Sequence, residues 1–169
     1  MWVKSCNCVL SIEIRPANLT DIDDVIRLNR LTLPENYPPQ FFYDVFMQYP
    51  KAFIVARSAS MLVGYVMTRI EKTLTVIKWI NRAHIISVAV HPAYRRQGIA
   101  RKMMIEACKA SYEFYKASEV YLEVRVTNEP AINLYKGLGF EIKEINRGYY
   151  SDGEDAYVMH SPLPLKVSD

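Results

Sequence analysis

Cysteine is scarce in this sequence. Its 169 residues contain three, Cys6, Cys8 and Cys108. Their spacing matches no zinc-ligand pattern, and an odd number does not suggest an oxidised framework. A reducing compartment is the expectation. Long apolar runs are missing, since none approaches the ~18 residues of a membrane span. Met1 to Ser11 is too short and polar for a signal peptide. With six glycines and nine prolines the composition excludes fibrous and disulfide-scaffold classes. No repeat at about 20–50 residues and no low-complexity linker divides the chain. An excess of one charge is lacking too. The 21 basic and 18 acidic residues leave +3, too little to argue for nucleic acid. These absences point to a soluble, cytoplasmic protein with no membrane and no nucleic-acid partner.

What is present is a core. Hydrophobic residues make up 50% and charged residues 23%. A domain of this length buries about two-thirds of its unfolded surface and needs no staple. Its apolar content can offset the ordering entropy of the chain.

Ile12-Glu13-Ile14-Arg15 alternates like a strand that Pro16 ends. Thr20 reads as a helix N-cap, with Asp23 completing an acidic capping box. Ile22, Val25 and Ile26 give that helix an apolar face to about Leu31. A second helix is expected after Pro38-Pro39, with Phe42, Val45 and Phe46 inward. Residues 52–57 and 62–70 read as a hairpin. Lys72 to Arg82 shows no clear period and is expected to be a loop. The run from His84 to Val90 has the length and apolarity of a central strand, with His84 opening it. A long amphipathic helix follows Gly98, a strand covers 120–126, and a short helix covers 129–138. Two closing antiparallel strands cover 140–145 and 156–160. The order βααββ-βα-βα-ββ predicts an α/β fold, a mixed sheet with helices on both faces.

Two segments carry chemistry. Arg95-Arg96-Gln97-Gly98-Ile99-Ala100 lies between a strand and a helix. Gly98 and Ala100 let a ligand approach the backbone, and the helix N-terminus favours an anion such as a pyrophosphate. Arg95, Arg96 and Arg101 add positive charge. Taken alone, the hexapeptide also reads as a basic turn that starts a helix. The second segment runs from Leu122 through Glu123, Asn128, Ala131 and Tyr135 to Gly139-Phe140. Asn128 can cap the helix that follows, and Tyr135 can be a core residue.

Together and in this order, the two segments resemble the GCN5-related N-acetyltransferase (GNAT) family over residues 12–159. Two further strings narrow the resemblance. Leu33-Pro34-Glu35-Asn36-Tyr37 and Tyr149-Tyr150-Ser151-Asp152-Gly153-Glu154-Asp155-Ala156-Tyr157 look like the catalytic subunits of NatA-type protein N-terminal acetyltransferases, including their stand-alone archaeal relatives.

The resemblance implies a fold of about seven strands and four helices, with a single acetyltransferase domain over 12–161 and short tails at 1–11 and 162–169. It implies acetyl-CoA as co-substrate and transfer of acetyl to the α-amino group of protein N-termini, of the Ser, Ala or Thr type and also Met. Val88, Ala89, Val90, Arg95, Arg96, Gln97, Gly98, Ile99, Ala100, Arg101, Asn128, Tyr135 and Lys136 would bind acetyl-CoA, with a strand bulge near Val88 offering an N–H to the oxyanion. Leu33, Pro34, Glu35, Tyr37, Tyr149 and Tyr150 would bind the peptide end. Tyr135 would protonate the departing thiolate. An α-amine is often protonated at neutral pH, so a base is wanted. Glu35, His84 and Glu123 all fit, and two base routes are expected to coexist, Glu35 for one and His84 with Glu123 for the other. No metal is expected, because a His/Glu pair supplies too few ligands. Nascent chains are the implied partners, with a ribosome or a large auxiliary subunit, as in eukaryotic relatives, a further possibility. The alternatives are a transferase for lysine or a small amine, and a CoA-binding module without catalysis.

Overall fold

The computed structural model describes residues 11–59 and 61–166. Cys6, Cys8, nearly all of the expected N-terminal tail and the last three residues lie outside these. Among the described residues the chain forms seven strands and four α-helices, in the predicted order. These are β1 (Glu13–Pro16), α1 (Ile22–Thr32), α2 (Pro39–Gln48), β2 (Ile54–Ser58), β3 (Met61–Leu74), β4 (Trp79–Val90), α3 (Ile99–Tyr115), β5 (Ala117–Arg125), α4 (Glu129–Lys136), β6 (Glu141–Asn146) and β7 (Ala156–Pro162). One mixed sheet results, ordered β1-β2-β3-β4-β5-β7-β6. Only the β4–β5 pair is parallel. Among the described residues no helix is long and apolar enough to cross a membrane.

The sheet separates two apolar layers. On one face Ile22, Val25, Phe42 and Val45 of α1 and α2 pack on Phe53, Tyr65 and Met67. On the other, Met103, Met104 and Ala107 of α3 and Ile132 of α4 pack on Val120, Leu122 and Val124. Each fully buried side chain of this size contributes about 1.5–3 kcal/mol. α3 lies so close to β3 that a Cβ at Gly64 would come 2.8 Å from the Met103 Cε. Beyond β7, Leu163 is buried and its N–H donates to the Ser118 carbonyl.

Pro16 is the last residue of β1, as expected, and its missing N–H is tolerated there because β1 is an edge strand. Three expectations change. Asp21, not Thr20, sets the start of the first helix. A 3-10 turn (Leu19–Asp21) precedes α1, and the Asp21 carboxylate accepts the Asn18 N–H at 2.8 Å. Lys72 to Arg82 is not a loop but the two arms of a long hairpin, paired from Gly64/Val90 to Leu74/Trp79. The turn is held by the Thr75 N–H on the Lys78 carbonyl at 2.9 Å. Its outer residues Leu74, Val76, Ile77 and Trp79 are exposed, so no alternation marks these arms. His84 therefore lies in the middle of β4 rather than at its start.

Candidate active site

The β4–β5 ladder ends at the His84/Tyr121 pair. Beyond it a cleft of about 1070 Å³ opens, with residues 86–90 on one wall and 123–125 on the other. β4 remains paired with β3 along this wall, Val66 opposite Val88 and Gly64 opposite Val90. The His91 N–H donates to the Val63 carbonyl on β3. Backbone groups alternate in direction along a strand, so Val88 and Val90 turn theirs toward the open side. The Val90 carbonyl accordingly accepts Arg95 Nε at 3.1 Å. The bulge expected near Val88 is at Ile86 instead, between the Ser87/Met67 and Ile85/Thr68 pairs.

The turn into α3 lines one part of this cleft. Arg96 and Gly98 both take positive φ, 64° and 75°. A Cβ on Gly98 would meet no protein atom within 4 Å, but its left-handed backbone suits glycine. The first helical bond runs from the Lys102 N–H to the Gly98 carbonyl. The preceding N–H groups have no intrahelical partner and are available to an anion. Arg95, Arg96, Gly98, Ile99, Ala100 and Arg101 line the cleft. Gln97 and Lys136 are exposed and do not. Arg101 also ties α3 to the end of α4, donating to the Gly137 carbonyl at 2.8 Å. Asn128 lines the cleft and caps α4, its Oδ1 accepting the Ala131 N–H at 3.3 Å. Tyr135, on α4, is buried beside Phe140 and also faces the cleft. Burial pushes its phenol up to about 12, so it stays protonated and keeps an O–H to donate.

Leu33, Pro34, Glu35, Tyr37, Tyr149 and Tyr150 all line the cleft as well. Glu35 is ion-paired with Arg125. The same guanidinium reaches Asp152 at 2.8 Å and Glu154 at 2.6 Å and lies over the Tyr150 ring at 4.0 Å. Arg125 thus latches the loop after α1 to the loop between β6 and β7. A buried chain is tied to the first loop through Asn29, whose Nδ2 donates to the Glu35 carbonyl at 3.4 Å. Asn29 Nδ2 donates to the Tyr65 hydroxyl at 2.9 Å, and that hydroxyl lies 2.7 Å from Ser87 Oγ. Burial holds the Tyr149 phenol up at about 12, with Glu123 and Tyr37 adding to it, and burial and Glu123 also raise Tyr37. Both phenols remain hydrogen-bond donors at neutral pH.

His84 and Glu123 meet in the same cleft. His84 Nε2 is 2.8 Å from Glu123 Oε2, and both side chains line the cleft. Strand alternation brings this about. Val120, Leu122 and Val124 enter the core, while Tyr121, Glu123 and Arg125 share the opposite face. That alternation is the signal for Arg125, which sequence reasoning left without a role. Glu71 and Tyr121 were missed as well, since Glu71 fell between the strand expected to 70 and the loop expected from 72. Among the described residues no His, Cys, Asp and Glu side chains group as metal ligands.

Residues 22–140 match the family model described as acetyltransferase (GNAT) family. Over 154 residues the chain is 50% identical to an N-alpha-acetyltransferase of Sulfurisphaera tokodaii, covering 89% of this chain and 92% of that one. It is 35% identical to the N-terminal acetyltransferase A complex catalytic subunit of Schizosaccharomyces pombe, covering 88% and 84%. The fold superposes on a chain of the NatC complex bound to Gag peptide and CoA with a TM-score of 0.82. There the identity is 26%, and 90% of this chain and 99% of that one are covered.

Proposed function

The chain belongs to the GNAT acetyltransferase family, and on that premise we propose that it transfers acetyl from acetyl-CoA to the α-amino group of protein N-termini. The observation that carries this reading is the single cleft at the β4–β5 opening, lined by free helix N–H groups and arginines of the α3 turn, by tyrosines on two latched loops, and by the His84–Glu123 pair. The α3 turn suits the pyrophosphate of acetyl-CoA, and the outward backbone of Val88 and Val90 suits its amide-bearing arm.

An α-ammonium group with a pKa of about 7.7–8.0 must lose a proton before it attacks. Glu123, paired with His84, takes that proton directly or through a water. The amine lone pair attacks the thioester carbonyl, and the Val88 N–H meets the oxyanion. The C–S bond then breaks as Tyr135 donates a hydrogen bond to the leaving sulfur, and the second proton of the former amine leaves the nitrogen for the CoA thiolate or solvent. Glu35, already paired with Arg125, shapes the tyrosine-lined part of the cleft and holds the first substrate residue. Small first residues and Met are the proposed substrates. The NatA and NatC relatives are named as parts of complexes, and an auxiliary subunit at the ribosome fits substrates that are nascent chains. A cytoplasmic location goes with this reading, since both substrates meet there.

Mass spectrometry of short peptides with a free or a blocked α-amine, each carrying one internal lysine, tests it. Acetylation of the free α-amine alone is expected. Acetyl on the lysine of the blocked peptide would refute it.

A further inference from the structure

Glu71 lies on β3, outside the cleft lining, and its carboxylate is fully engaged. Oε1 is 3.2 Å from His84 Nδ1 and accepts Arg69 Nε at 2.6 Å. Oε2 accepts the Tyr121 hydroxyl at 2.5 Å. The Tyr121 ring stacks on the His84 imidazole, 4.3 Å between centroids and 14° between planes. The Arg82 guanidinium lies over the same ring at 4.3 Å. His84 is therefore held on three sides: by Glu71 at one nitrogen, Glu123 at the other, and Tyr121 against its face.

Burial alone would raise the Glu71 carboxyl, but the hydrogen bonds from Tyr121 and Arg69 and the charge of His84 outweigh it and hold it below its ordinary range. Glu71 is then an acceptor only. For the Nδ1 contact to be a hydrogen bond, that nitrogen must carry its hydrogen. Both ring nitrogens face carboxylates, Glu71 at 3.2 Å and Glu123 at 2.8 Å, so a neutral ring sets one lone pair against a carboxylate in either tautomer, and the proton that relieves the Nε2–Glu123 contact is the one the substrate amine supplies. With Nδ1 fixed, Nε2 is the ring nitrogen left to share a proton with Glu123.

We propose that Glu71 is a positioning residue for acetyl transfer: with Tyr121 and Arg69 it fixes the His84 ring with Nδ1–H toward Glu71, so that Nε2 and Glu123 jointly receive the proton leaving the α-ammonium group. This rests on the reading of His84 and Glu123 as the base. The groups facing the ring are Glu71 from β3, and Tyr121 and Glu123 from β5; behind them Arg69 of β3 pairs with Glu71 and Arg82 of β4 lies over the Tyr121 ring. Tyr37 and Tyr149 face Glu123 from the loops. Among the described residues no equivalent bracket surrounds Glu35, whose partner is Arg125.

Steady-state kinetics across pH, on peptides starting with Ser and with Met, test the proposal with Glu71→Gln, Tyr121→Phe and His84→Ala. Glu71→Gln should lower kcat about tenfold, the scale on which outer-shell partners act, with the peptide KM within about twofold. It should move the acidic limb of the kcat profile to lower pH, because the anion that favours a proton on the ring is gone. Tyr121→Phe should move that limb the other way, since Glu71 loses a donor and its charge bears more fully on the ring. Its phenyl ring keeps the stack, so it decides the matter if Glu71→Gln does not fold. Unshifted limbs in both variants, with or without a fall in kcat, would overturn the proposal. If that happens while His84→Ala is impaired, the base reading stands without Glu71. If His84→Ala is itself as active as the parent, the base reading fails.

Discussion

Glu35 and Glu123 are both glutamates on the cleft wall, and their partners separate them. Glu35 faces a guanidinium that already gathers Asp152 and Glu154, so accepting a proton there means giving up an ion pair. Glu123 faces an imidazole, which can share a proton rather than oppose it. From the sequence all three candidate bases were legible, because Glu35 lies in an unusual string and Glu123 interrupts an apolar strand. Their ranking was not, because it depends on Arg125, 90 residues from Glu35 along the chain. Tyr135 is separated from an ordinary core tyrosine in the same way. It is buried but its ring also faces the cleft, with its phenol held at about 12. A phenol that weakly acidic stabilises the leaving thiolate chiefly by donating a hydrogen bond, since a thiol has a pKa of about 8.5. Tyr135→Phe should therefore lower kcat by about 10²-fold with the KM for acetyl-CoA little changed. Steady-state kinetics check this, and an unchanged kcat would remove Tyr135 from the chemistry.

Elements were most legible where a periodic face meets the core. The spacing of Met103, Met104 and Ala107 gave α3 correctly, and the apolar run at 84–90 gave the inner half of β4. The outer hairpin escaped because Leu74, Ile77 and Trp79 remain in solvent and no face is buried to impose a pattern. The start of α1 was misplaced because its organising carboxylate is set by tertiary contacts. Asp21 is buried and receives Arg15 at 2.7 Å from β1 and Arg57 at 2.8 Å from β2. Removing one partner of such a buried pair costs about 3 kcal/mol. Asp21→Asn should thus lower the melting temperature by ~10 °C in a domain of this size. Burial would raise the Asp21 carboxyl, but Arg15, the Asn18 N–H and Arg57 together hold it below the ordinary range. Its stabilisation is complete above the unfolded pKa of about 3.9 and is lost as pH falls through the lower folded value. Urea denaturation should show the gap between parent and variant shrinking from pH 6 to pH 3. An equal gap at both would mean that the charge contributes nothing.

At the scale of the molecule, the alternation of strands and helices gave the fold class and order, and the motif strings gave the family. What the sequence could not carry is the place where the β4–β5 ladder stops, because a ladder's end is a property of two strands and not of either alone. That opening gathers residues from β4, β5, α3, α4 and both loops into one cleft. It also leaves His84 as the last residue of β4 paired with β5, facing Glu123 where the strands part. The account therefore stands on this pair as the base. The direct measurement is kcat and KM for Glu123→Gln, His84→Ala and Glu35→Gln on two peptides that differ only in a first residue of Ser or Met. The account predicts a fall in kcat of about 10²-fold or more for the first two variants on both peptides, and for Glu35→Gln chiefly a higher peptide KM. It would be contradicted by near-parental kcat in Glu123→Gln and His84→Ala together with loss of kcat in Glu35→Gln.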